Sequence, residues 1–101
     1  MNRTELLPDE QMRELGFTDR VPTKWYLCRR VGPGVTFNVT VVKDTGLWDE
    51  VVLDEDFGQP AYYGIMREPY RTSIRDAVDA IVDELGAAGI RVAVNHRQYR
   101  Y

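Results

Sequence analysis

Cysteine and histidine are almost missing from this chain: its 101 residues hold one of each, Cys28 and His96. A lone cysteine cannot close an internal disulfide, which excludes the cross-linked scaffolds typical of small secreted domains. A lone imidazole, with no Cys-x-x-Cys or His-x-x-x-His spacing, speaks against a metal centre. No Gly-x-Ser-x-Gly, Walker loop or Gly-x-Gly-x-x-Gly occurs, so neither a serine nucleophile elbow nor a nucleotide loop is expected. No apolar run approaches the roughly 18 residues that cross a bilayer. The stretch Met1 to Leu7 is polar and lacks the basic-then-apolar order of a secretory signal. These absences predict a cytoplasmic protein without membrane contact, metal or cofactor.

What remains is an ordinary globular composition, 44% apolar and 29% charged. At this length it predicts one domain over residues 1–101. The net charge is −3, and its distribution says more than its sum. Asp44, Asp49, Glu50, Asp54, Glu55 and Asp56 form a run without a base. Arg20, Lys24, Arg29 and Arg30 cluster before it, and Arg91, Arg97 and Arg100 follow near the end. A chain polarised in this way is not expected to bind nucleic acid in bulk.

The patterning predicts an α+β fold. Asp9 and Glu10 after Pro8 suit the positive end of a short helix that stops at Gly16, with Phe17 as its anchor. Thr23 to Val31 reads as a first strand, with Trp25, Leu27 and Arg29 on one face and Tyr26, Cys28 and Arg30 on the other. Gly32-Pro33-Gly34 reverses the chain. Val35 to Lys43 alternates most clearly, with Val35, Phe37, Val39 and Val41 facing one way. Leu47 to Leu53 forms a third strand whose apolar face is Leu47, Val51 and Leu53, interrupted by Asp49. Ala61 to Met66 reads as a short fourth strand. A helix from Thr72 to Gly86, with Thr72 or Ser73 as cap and Ser73 with Asp76 as a capping box, carries the stripe Ile74, Ala77, Val78, Ile81, Val82, Leu85 and Ala88. Ile90 to Val94 reads as a last strand. The expected architecture is an antiparallel meander of three to four strands plus a C-terminal strand, with the long helix on one sheet face.

Cys28 lies in an alternating strand and is expected to pack as a small hydrophobe rather than pair with His96 as a nucleophile. His96 is expected to be exposed in the tail. The tail Asn95 to Tyr101 is basic and aromatic, and would dock on the acidic strand edge of its own chain or on a partner. Asp54, Glu55 and Asp56 at a strand end admit three functional readings: cation binding, general acid–base work, or an anionic surface for a basic partner. A solvated edge that discourages sheet aggregation is the plainer alternative. Trp25, Tyr26, Trp48, Tyr62, Tyr63 and Tyr70 concentrate aromatic surface near these acids, either as cross-strand packing or as a binding patch that includes Tyr26 and Trp48. Asp49, Glu50, Asp54, Glu55, Asp56, Tyr62, Tyr63 and Trp48 are therefore the candidate partner-binding residues. The favoured function is non-enzymatic binding of a basic protein partner. The alternative is a small enzyme using carboxylates at Asp54–Asp56 with a nearby tyrosine.

Gly34-Val35-Thr36-Phe37-Asn38-Val39-Thr40 and Val52-Leu53-Asp54-Glu55-Asp56-Phe57-Gly58-Gln59-Pro60 resemble segments of small uncharacterised proteins of Gram-positive bacteria and their prophages. The resemblance spans most of the middle of the chain. It implies a phage or mobile-element accessory factor and carries over no functional residue.

Overall fold

The computed structural model describes residues 2–100. Its order is α1 (Asp9–Glu14), β1 (Lys24–Gly32), β2 (Val35–Val42), β3 (Trp48–Asp54), β4 (Gln59–Pro60) and α2 (Tyr70–Ala88), with 3-10 turns at Tyr63–Ile65 and His96–Tyr99. The four strands form one antiparallel sheet in chain order. Helix α2 covers one face, so the molecule is an α+β fold. No helix among the described residues is long and apolar enough to cross a membrane.

Both helices end by the same device. Gly16 takes a left-handed φ of 101°, and the Phe17 amide donates to the Met12 carbonyl at 3.1 Å. Gly89 does the same at φ 104°, with the Ile90 amide on the Leu85 carbonyl at 2.8 Å. In each case the residue after the glycine is buried beside the last helical turn: Phe17 with Met12, and Ile90 with Leu85. This is a Schellman cap with its hydrophobic contact.

Strand β2 is central, and its alternation is realised in full. Val35, Phe37, Val39 and Val41 are buried against Ile74, Val78, Ile81 and Leu85 of α2, within a core that includes Trp25, Leu27 and Val52. The helix sits close to the sheet because Gly32 has no side chain: a Cβ there would lie 2.9 Å from Ile74 Cγ1.

Strand β3 departs from the expected face. Cross-strand partners share a face, and Val41, Val39, Phe37 and Val35 pair with Trp48, Glu50, Val52 and Asp54. The helix side of β3 therefore carries Trp48, Glu50, Val52 and Asp54. Val51 and Leu53 lie on the open side with Asn38 and Thr36. The turn fixes this register: the amides of Val42 and Gly46 donate to Leu47 and Val42 carbonyls, each at 2.8 Å.

Three further expectations are corrected. Ala61–Met66 is not a strand. Only Gln59 and Pro60 pair with β3, after which the chain turns inward and buries Tyr63. Ile90–Val94 alternates, with Ile90 and Val92 buried, but pairs with no strand. Its Arg91 amide donates instead to Thr4 Oγ1 at 2.7 Å. The C-terminal strand is thus absent. Helix α2 begins at Tyr70, and its start is satisfied by the Glu68 carboxylate. That group accepts from the Thr72 amide at 3.2 Å and the Thr72 hydroxyl at 2.8 Å, so neither Thr72 nor Ser73 is the cap.

The outer edge of β3 is covered piece by piece. Asn2 and Thr4 bond Trp48 and Gly46 at its start, the Tyr99 hydroxyl takes the Val52 amide in the middle, and Ala61 and β4 close its end.

Candidate functional site

The acidic run does not form one surface. Asp49 and Glu50 are neighbours in sequence but face opposite sides of the sheet. Asp49 is exposed on the open face, and Glu50 is half-buried on the helix side. Asp54 Oδ1 accepts from the amides of Asp56 and Phe57 at 3.0 and 3.4 Å, which organises the turn after β3. Glu55 accepts from the Thr36 hydroxyl at 2.5 Å. Asp56 lies near Gly34 of the neighbouring turn and is exposed. Phe57 stands out at the same end, 77% exposed. Among the described residues none of the six acids from Asp44 to Asp56 forms an ion pair. Arg97 and Arg100 do not reach them.

The open face carries a continuous hydrogen-bonded diagonal. Tyr26 donates to Asn38 Oδ1 at 2.5 Å, Asn38 Nδ2 donates to Thr36 Oγ1 at 2.9 Å, and Thr36 continues to Glu55. Tyr26 is 44% exposed, and its phenol is pushed up by burial and by Cys28 beside it. Cys28 is exposed on this face, contrary to the packing expected of it, because β1 turns its odd-numbered residues to the core. Two shallow depressions flank Tyr26. One, of about 570 Å³, includes Val21, Lys24 and Cys28; the other, of about 160 Å³, includes Asp49, Val51 and Leu53. Trp48 is not here. It packs, half-buried, against the core on the other side.

A second constellation went unseen in the sequence. His96 is no loose tail residue: its Nδ1 meets the Tyr63 hydroxyl, and its Nε2 lies 2.7 Å from Asp79 Oδ1. Nε2–H donates to the Asp79 carboxylate, which leaves Nδ1 to the Tyr63 hydroxyl. Tyr63 is 2% exposed, and burial raises its phenol strongly, which keeps it protonated. Its ring stacks on Tyr99 with centroids 5.0 Å apart. Tyr99 in turn accepts from the Val52 amide at 2.9 Å and donates to Glu50 Oε2 at 3.1 Å. Burial pushes Tyr99 up to about 12 and also raises Glu50, which the Tyr99 hydrogen bond partly offsets. The tail therefore docks on its own chain at Glu50; Tyr101 lies outside the described residues.

Thus, of the predicted residues, Glu50 and Tyr63 belong to this buried network. Asp54, Glu55 and Asp56 form the hairpin end, Asp49 lies on the open face, and Tyr62 is half-buried before the turn. The structure makes a tyrosine–carboxylate pair at Tyr99–Glu50, whereas Asp54 accepts from the Asp56 and Phe57 amides and Glu55 from the Thr36 hydroxyl. Cys28 and His96 are not brought together, since both His96 nitrogens are taken. The only signal for the network was the coincidence of His, Tyr and Asp, whose separations of 33 and 17 positions hide it. No family model matches the chain, and neither a curated protein nor a solved structure does.

Proposed function

We propose that this is a non-enzymatic, cytoplasmic binding or accessory protein that engages a basic segment of a protein partner through the acidic end of its sheet. The observation that carries the reading is that Glu55 and Asp56, exposed at that end beside Phe57, form no ion pair among the described residues, while Asp19, Glu68 and Glu84 each have one. Unpaired surface carboxylates attract Lys and Arg and speed encounter. They repel phosphate, which disfavours nucleic acid. Phe57 adds an exposed apolar and π surface on which lysine or arginine stems can lie.

The test is capture from host lysate with the chain and with Asp49→Asn/Glu55→Gln/Asp56→Asn. The reading expects a cationic protein that is retained at about 0.1 M salt and released near 1 M, where the Debye length is about 3 Å. The variant should lose it. Equal capture by both chains, or capture indifferent to salt, would overturn the reading.

A further inference from the structure

Between the Tyr63–Ile65 turn, the first two turns of α2 and the C-terminal turn lies a cleft of about 400 Å³. Arg71, Arg75 and Arg100 line it, beside Glu68 and His96. We propose that this cleft binds a small phosphate monoester. The site is separate from the acidic hairpin and does not depend on it.

Arg71 and Arg75 stand four residues apart, so their guanidinium groups rise on one side of α2, where like charges disfavour each other. The fold then brings a third arginine, Arg100, to the same place. Its approach requires Gly64, since a Cβ at that position would lie 2.5 Å from Arg100 Cγ and 2.8 Å from the Tyr99 carbonyl oxygen. Gathering three cations costs free energy unless something anionic answers them.

Among the described residues a local carboxylate answers one of the three. Glu68 holds Arg71 Nε at 2.9 Å and is further committed to Thr72. Asp79 is committed to His96. Arg75 and Arg100 form no ion pair among the described residues. Two guanidinium groups left open on one cleft match a dianion better than a carboxylate, because each planar fork can present paired donors to phosphate oxygens. The volume falls in the range of small-molecule sites. His96 does not donate to the ligand, as both of its nitrogens are in use. It fixes the back wall by tying the C-terminal turn to α2 and to Tyr63.

Isothermal titration with phenyl phosphate, against benzoate as a monoanionic control, tests this. We expect saturable one-to-one binding, at least about tenfold tighter for the phosphate. Arg75→Gln and Arg100→Gln should each weaken it by about tenfold with unchanged thermal unfolding. Glu68→Gln keeps an acceptor for Thr72 but removes the competing charge on Arg71, and should tighten binding severalfold. Arg97→Gln, outside the cleft, should change it less than about twofold. No saturation below about 10 mM, equal affinity for benzoate, or an equal loss from Arg97→Gln would overturn the proposal.

Discussion

The phenol oxygen of Tyr99 lies 2.9 Å from the backbone nitrogen of Val52 and accepts a hydrogen bond from it. A side chain near the C-terminus thus performs the task of a neighbouring strand. Tyr99→Phe keeps the ring and its stacking on Tyr63 but strands a buried amide. The expected cost is about 1–3 kcal/mol, read by chemical denaturation. A loss under about 0.5 kcal/mol would show that water replaces the hydroxyl.

Glu50 supplies a prediction with a definite pH sense. Burial raises its carboxyl above the ordinary value, so the folded chain holds that proton more tightly than the unfolded chain. Stability therefore falls as pH rises from the ordinary glutamate value through the raised one, and stays reduced above it. Glu50→Gln keeps an acceptor for Tyr99 without the buried charge. It should raise the melting temperature by a few degrees at pH 7, and the gain should vanish below the ordinary value. An unchanged difference across that window would refute the assignment.

Ile81 faces the sheet from the middle of α2 and is 9% exposed. Ile81→Asp removes a core contact and forces in an unpaired carboxylate. A loss of more than about 3 kcal/mol is expected, enough to unfold much of the population at 37 °C. Unaltered thermal unfolding would mean that α2 does not pack as described.

The exposed acids should behave oppositely. Because Asp49 and Asp56 pair with no cation among the described residues, Asp49→Asn with Asp56→Asn should shift stability by no more than about 0.5 kcal/mol. A larger loss in urea unfolding would reveal a structural role for one of them.

Cys28 is on the open face, so a thiol reagent should modify it in the folded protein. Native labelling within about tenfold of the denatured rate is expected. Protection by orders of magnitude would return it to the core.

The parts of the fold legible in the sequence are those whose cause is local. The alternation of Val35, Phe37, Val39 and Val41 fixes a strand face, and Ile74, Val78, Ile81 and Leu85 fix a helix stripe, because each pattern needs only its own period. Gly16 and Phe17 announce a helix end within two positions. The β3 face was illegible because Leu47, Val51 and Leu53 present an equally good alternation. The β2–β3 turn decides against it, and Tyr99 makes the resulting helix-side carboxylate tolerable at Glu50 from 49 positions away. Ile90–Val94 has a strand's alternation, yet alternation shows only that every second side chain is buried, not that the backbone pairs. In the candidate sites, the acidic hairpin end was visible as a charge run. His96 with Tyr63 and Asp79 was not, since no spacing rule links residues that meet only when three elements converge.

The piecemeal cover on β3 bears on how copies of this protein behave toward one another. Its outer edge is closed by a few terminal residues, one phenol and a two-residue strand, none of which is long. Displacing the C-terminal turn would bare the Val52 amide and its neighbours as a template for a strand from another molecule. Intermolecular strand exchange would then begin on that flank, and the network around His96 would act as the latch that keeps each chain self-contained.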